Sequence, residues 1–278
     1  MTYFIQSVKY FIYKRILRRK FLKVTDDIYH LDFHIEIHDT MGRKIYKRGS
    51  LHPEHTSFLL TLAFADEDVI LDIGANIGWY SIVLKHNIRS NVTVYAFEPE
   101  PLNFELLTKN IAHNHITNIE AVNKAVAEKS GQSTLFLYHP KNSGRHSLLD
   151  INPQTNKSIQ VETVNIEDFL KGQGIELKKI KLIKIDIEGY EVFALKNASA
   201  LLQQLPYMFI EYSPILIRQG GQDPAHFIRW LSDFGFNFYN IDGGKPSVRS
   251  VEFLTAIDYM ENLFLVKKSL DTFQSTPK

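Results

Sequence analysis

The feature that most constrains this 278-residue chain is the run Val69-Ile-Leu-Asp-Ile-Gly-Ala-Asn-Ile-Gly-Trp-Tyr-Ser81, followed by Val92-Thr-Val-Tyr-Ala-Phe-Glu-Pro99. Each run contains a short apolar strand that ends in an acid, Asp72 in the first and Glu98 in the second, 26 positions apart. A glycine loop and the start of a helix lie between them. Strand, tight turn and helix in alternation build a mostly parallel sheet with helices on both faces. Ligands of such sheets bind outside the carboxyl ends of the strands, which is where the two acids fall.

The loop narrows the ligand. A pyrophosphate cofactor calls for G-x-G-x-x-G, so that backbone N–H groups at a helix N-terminus face the phosphates. Here the loop reads Gly74-Ala-Asn-Ile-Gly78, with Asn76 where the central glycine would stand. Gly74 and Gly78 leave room for a ligand beside the backbone. Asp72 would repel a pyrophosphate and suits a ligand with a cationic amino group. S-adenosylmethionine has an ammonium, a sulfonium and no phosphate. Glu98, acceptor-only when ionised, can take both hydroxyls of a ribose diol. Asn123 and Ala125 end the next expected strand, where an adenine edge could lie. Tyr80, in the first helical turn, packs either beside the cofactor or into the core.

A second dense signal is Ile183-Lys-Ile-Asp-Ile-Glu-Gly189. Alternation along a strand puts Lys184, Asp186 and Glu188 on one face. Glu211 closes the following strand, so three carboxylates are expected to converge beside the glycine loop. Mutual repulsion would raise their pKa values, or a divalent cation would hold them together. Either would help to remove a proton from a hydroxyl. Asp186 is the first candidate for that base, and His146, in the polar stretch 139–158, is the second. Lys184 reads as a structural ion-pair partner.

Before the glycine loop, residues 28–37 alternate, with Leu31, Phe33, Ile35 and Ile37 on one face. With a turn at residues 39–42 and a return strand at 43–47, this reads as a hairpin. His30, His34 and His38 share its other face, a row along one strand that does not close around a metal. A helix is expected from Pro53 to about Ala65. The expected organisation is a basic amphipathic helix at 1–24, a hairpin and helix at 25–66, the α/β domain at 67–268 and a flexible tail at 269–278.

Charge is unevenly placed. Seven of the 32 basic residues lie in the first 24 positions, which hold no acid, leaving 25 basic against 31 acidic residues elsewhere. A nucleic-acid enzyme would more often carry a basic face on its core, so no nucleic-acid partner is expected. There is no cysteine, which rules out disulfides, thiolate metal sites and cysteine nucleophiles. No apolar run is long enough to span a membrane, and the N-terminus lacks the separate apolar stretch of a signal peptide. Cytoplasmic location is expected, with residues 1–24 either packing on the core or lying on a membrane surface or partner.

Taken together, Asp72-Ile-Gly-Ala-Asn-Ile-Gly78, Phe97-Glu-Pro99, Asn123-Lys-Ala-Val126 and Lys184-Ile-Asp-Ile-Glu-Gly189 with Glu191 resemble the FkbM family of S-adenosylmethionine-dependent methyltransferases. The resemblance covers residues 67–215 in register. It implies a class I methyltransferase (Rossmann-like) fold, a doubly wound, mostly parallel seven-stranded sheet with an antiparallel last strand. It also implies methyl transfer to a hydroxyl of a sugar, glycan or polyketide-type acceptor. For such a transfer, Glu188 and Glu211 are expected to orient acceptor hydroxyls or to hold a cation. Two other readings compete: an NAD-dependent oxidoreductase, and a catalytically inactive protein of the same fold that binds a partner.

Overall fold

In the computed structural model residues 2–139, 142–151 and 157–267 are described, with side chains from Ser7 onward; the tail expected at 269–278 lies outside them. Helix α1 (Thr2–Phe11) runs into a π-helical turn at Ile12–Ile16. Strand β1 (Phe21–Thr25) then pairs antiparallel with β2 (Asp32–Glu36). A hairpin is present, but not the expected one: the partner strand precedes the alternating segment. The N-terminal helix stops well short of residue 24, because the chain must be extended by Phe21 to form β1. Residues 43–47, expected as the return strand, belong to helix α2 (Thr40–Arg48). The cause is Asp39, whose carboxylate accepts from the N–H groups of Met41 and Gly42 and caps that helix. Helix α3 (Pro53–Leu59) starts at its proline as expected and is shorter than its sequence suggests.

From β3 (Val69–Ile73) the alternation is regular. Helix α4 (Trp79–Asn87), β4 (Thr93–Phe97), α5 (Pro101–His113) and β5 (Ile119–Val122) follow in turn. Next come β6 (Ala125–Val126), β7 (Gly131–Phe136) and β8 (Ser158–Val164), which make a separate three-stranded sheet in the order β6-β8-β7. The third expected strand is thus divided between two sheets. Helix α6 (Ile166–Gly172), β9 (Ile180–Ile185), α7 (Glu191–Leu195), α8 (Ser199–Gln204) and β10 (Tyr207–Tyr212) continue the winding. The chain then forms α9 (Pro214–Gln219), α10 (Pro224–Asp233), β11 (Asn237–Asp242), β12 (Lys245–Arg249), α11 (Val251–Ala256) and β13 (Glu261–Val266).

The main sheet has eight strands in the order β12-β11-β13-β10-β9-β3-β4-β5. It contains the expected seven, and β13 is antiparallel to both of its neighbours. This is the class I methyltransferase topology with one strand added. The extra strand, β12, pairs antiparallel with β11 at the edge. Gly243 and Gly244, both at positive φ, join the two by a tight turn.

Strand β3 is buried along its whole length, as a central parallel strand covered on both faces must be. Ile70 faces one apolar layer with Val83, Phe209 and Phe264, while Leu71 and Ile73 face the other with Ile183, Leu202 and Leu231. The hairpin joins the first layer, its alternating apolar face fully inside. Phe33 stacks on Trp79 with ring centroids 5.0 Å apart. Asn110, buried on α5, ties the hairpin to the glycine loop: it accepts from His34 N at 2.6 Å and donates to Ile77 O at 2.9 Å. Replacing it by leucine strands both backbone groups, and each buried unpaired group costs about 1–3 kcal/mol. Asn110→Leu is expected to lower the unfolding free energy by about 2 kcal/mol or more, read from urea denaturation against the parent protein.

Candidate active site

A cavity of about 460 Å³ opens at the carboxyl ends of β3, β4, β9 and β10. That is the size of a small-ligand site in the place this topology provides one. Three groups of residues line it: the glycine loop with Glu98, the acids after β9 and β10, and a roof from residues 142–148 and α2.

The glycines act differently from the sequence expectation. Gly74 has φ +78°, and a Cβ there would lie 2.1 Å from the carbonyl oxygen of Asp186. Gly78 has φ +89°, and its Cβ would lie 2.6 Å from a methyl of Leu107. Both let the chain approach itself; of the two, only Gly74 borders the cavity. Asp72 is a larger correction. It is 1% exposed and is not part of the cavity wall. Its Oδ2 accepts from Ser81 N at 3.1 Å and Ser81 Oγ at 2.6 Å, and its Oδ1 lies 3.3 Å from Lys184 Nζ. Lys184 is already its cationic partner. Ser81 N is one of the N–H groups that α4 leaves without a helical acceptor, and the carboxylate is the acceptor it finds, which puts a negative charge at the start of the helix.

Glu98 does line the cavity and is 5% exposed. Its Oε2 accepts from Asn76 N at 2.8 Å and its Oε1 from Glu100 N at 3.0 Å. Each oxygen keeps acceptor capacity for a ligand hydroxyl. Burial pushes its pKa up to about 7, against those two backbone bonds. Asn76, at φ +51°, borders the cavity and donates through Nδ2 to Ser143 O at 3.5 Å. Asn123 does not border it: its amide donates to the carbonyls of Glu98 and Pro99 at 2.8 and 3.2 Å and supports the end of β4. Ala125 and Tyr80 are in the wall, and the Tyr80 ring faces Lys184 Nζ at 5.4 Å.

The acids converge. β9 ends at Ile185, earlier than alternation suggested, and Glu188 at φ +55° with Gly189 at φ +91° turns the chain back. One oxygen from each of Asp186, Glu188 and Glu211 lies within 4.8 Å of the other two. Among the described residues, this is the group with metal-ligand spacing; the histidine row on the hairpin is not. Lys184 Nζ donates to Gly74 O at 2.8 Å and lies 4.0 Å from Asp186. Burial would lower its pKa, but Asp72, Asp186 and Glu211 hold it raised. Desolvation raises Asp186 despite Lys184, and Asp72 adds to the rise. Glu188 rises to about 7 through burial and the Asp186 charge, against the Arg145 guanidinium at 3.3 Å. Glu211 is pushed well up by burial, then by Asp186 and Glu188. Three close carboxyls do not all ionise freely, and one of them is left able to accept a proton near neutrality.

His146 is in the wall, but its Nδ1 accepts from Tyr138 N at 3.0 Å. The neutral ring then carries its proton on Nε2 and offers a donor. Burial lowers its pKa. This tautomer argues against the expected role as second base.

Sequence reading missed several cavity residues. Lys44 on α2 and His52, at φ +46°, enter the wall from the N-terminal extension. Burial, with Lys44 nearby, lowers His52 to about 4. Ser143 in the roof donates through N and Oγ to Asp39 at 2.7 and 2.9 Å, so the cap of α2 also anchors the loop over the cavity. An aspartate followed by apolar residues at helical spacing, Met41 and Ile45, was the available signal.

The chain matches the family model described as "Methyltransferase FkbM domain" over residues 72–238. Among characterised relatives, Methyltransferase 1 of Beauveria bassiana is 27% identical over 48% of this chain and 59% of its own length. The hexuronic acid methyltransferase AglP of Haloferax volcanii is 26% identical over 68% of this chain and 72% of its own. The 31-O-demethyl-FK506 methyltransferase FkbM of Streptomyces tacrolimicus is 29% identical over 45% and 56%. The chain therefore spans little more than half the length of the first and third of these.

Glu191 lies under the acid cluster, fully buried, with Oε1 accepting from Ile187 N at 2.9 Å and Oε2 without a partner. Burial raises its pKa to about 8. Unfolding lets it ionise near its usual value, so its contribution to stability is full below pH about 4.5 and is lost as pH rises through about 8. Glu191→Gln is expected to flatten the decline in urea midpoint between pH 5 and 8, measured side by side with the parent.

Proposed function

Because the chain belongs to the FkbM methyltransferase family, we propose that it transfers a methyl group from S-adenosylmethionine to a hydroxyl of a sugar, glycan or polyketide-type acceptor. One observation carries the choice of cofactor. Asp72 takes the Ser81 N–H at the start of α4 and sets a negative charge there, while Glu98 keeps free acceptor capacity in the cavity wall. A nucleoside with a ribose diol and no phosphate fits that pairing, and a nicotinamide dinucleotide does not. Glu98 would hold the ribose, with Gly74, Ala75 and Asn76 beside it and Tyr80 and Ala125 as apolar contacts. When bound, S-adenosylmethionine supplies a methyl group already made electrophilic by its sulfonium.

The chain's own residues must then position and deprotonate the acceptor. Asp186 sits at the end of β9, next to the glycine loop, with a side chain 38% exposed into the cleft. Its raised pKa suits a group that takes a hydroxyl proton during transfer. Glu188, held by Arg145, and Glu211 would orient neighbouring hydroxyls. The roof and α2 exclude water and hold the acceptor oxygen close, a proximity effect. The names of the relatives from Haloferax volcanii and Streptomyces tacrolimicus support acceptors of the saccharide and natural-product kinds. A second reading of the triad, favoured by its 4.8 Å convergence, is that it holds a divalent cation, since hard cations take carboxylate oxygens.

Two variants test the assignment with labelled S-adenosylmethionine and a panel of glycosides, uronic acids and polyketide alcohols. Glu98→Ala is expected to weaken S-adenosylhomocysteine binding about tenfold or more, the value of a charged hydrogen bond. Asp186→Asn is expected to keep that binding and lose about 10²-fold or more in turnover. Full turnover by Asp186→Asn would overturn the base assignment. Loss of activity on chelation, restored by magnesium, would favour the cation reading of the triad.

A further inference from the structure

Helix α1 is only partly used by the fold. Tyr10 is buried, its hydroxyl donates to Ile37 O, and its ring packs on Tyr46 of α2 at 5.3 Å. Val8 and Ile12 lie two positions to either side, nearly opposite Tyr10 on a helix. They are 43% and 37% exposed, and Phe11, Ile16 and Leu17 are 58%, 64% and 53% exposed. Five neighbouring large apolar side chains in water are unusual for a surface that meets only solvent. Basic residues flank them: Lys9, Arg15, Arg18 and Arg19 are exposed and make no ion pair among the described residues. The first 24 positions contain no acid, while the remainder of the chain has an acidic excess.

We infer that α1 and its π-helical turn form a docking surface for an anionic lipid bilayer. Charge complementarity commits the surface to that occupant: basic side chains ring an apolar face, and their stems can reach lipid phosphates while Phe11, Ile12 and Ile16 enter the acyl boundary. Such a bilayer supplies both an apolar interior and anionic headgroups over one continuous surface. The acidic remainder of the chain would be repelled from the same bilayer, so adsorption has a defined orientation. No helix among the described residues is long and apolar enough to cross a membrane, so the contact is peripheral. Helix α2, on which α1 packs, also lines the cavity through Thr40, Met41 and Lys44. Adsorption therefore holds the cavity close to the lipid surface.

The test is sedimentation of the whole protein with vesicles of phosphatidylcholine mixed with phosphatidylglycerol, against phosphatidylcholine alone. Binding to the anionic vesicles, weakening as salt is raised, is expected. F11S/I16S and R15Q/R18Q/R19Q are each expected to bind about tenfold or more weakly, while their melting temperatures stay close to the parent's. Those residues are solvent-exposed, so a changed fold would show as a shifted melting curve. No binding to anionic vesicles overturns the inference. So does equal binding by F11S/I16S, which would leave only surface charge. Concentration-dependent self-association abolished by F11S/I16S, without vesicle binding, would assign the face to a second copy of the chain instead. None of these readouts depends on methyl transfer.

Discussion

The buried ammonium of Lys184 is the joint on which the site depends. It is 5% exposed and touches the glycine loop through Gly74 O, the end of β3 through Asp72 and the acid cluster through Asp186. An ion of this kind is costly to take out of water, and its loss would leave Asp72 buried and uncompensated, at a cost of about 3–5 kcal/mol. Asp72 is held in turn by Ser81 at the N-terminus of α4. One chain of contacts thus fixes the helix start, the loop and the position of the candidate base. The same chain of contacts keeps Asp72 out of the cavity wall, where Glu98 stands.

Strain and charge meet in the same volume. Asn76, Glu188 and His52 are non-glycine residues at positive φ, and all three line the cavity. Such conformations cost of order 1–3 kcal/mol each and persist where surrounding contacts fix them. For Asn76 those contacts are Glu98 and Ser143; for Glu188, Arg145 and the Ser147 hydroxyl that donates to its carbonyl. The roof itself is fastened by Asp39, from a segment outside the family match. The glycine loop, Glu98 and the three acids lie within the family match, and Thr40, Met41, Lys44, Leu51 and His52 of the cavity wall lie before it.

The parallel sheet was legible because buried central strands and glycine turns leave local marks. β3, β4 and β10 fall where apolar runs and terminal acids put them, β9 begins as expected and stops short of its acids, and the antiparallel final strand was implied by the family resemblance. The edge strand β12 was not, because its side chains are mostly exposed and carry no alternation. The return strand at 43–47 was misread because Asp39 suits a turn as well as a helix cap, and the helical spacing of Met41 and Ile45 is a short signal in a nine-residue helix. Asp72 was misassigned for a related reason. A sequence shows an acid beside a glycine loop, but the lysine that neutralises it lies 112 positions later and meets it only across two paired strands. Asp186, Glu188 and Glu211 were expected together and are together, although a left-handed turn at Glu188, not strand alternation, completes the cluster.

Calorimetric titration of the purified protein with S-adenosylhomocysteine, with NADH as the control, addresses the cavity most directly. Saturable binding of S-adenosylhomocysteine at one site per chain, with no heat from NADH, is expected if the Asp72 charge disfavours a phosphate at the start of α4 and Glu98 reads the ribose. Saturable binding of NADH without S-adenosylhomocysteine would contradict that arrangement and with it the methyl-transfer reading.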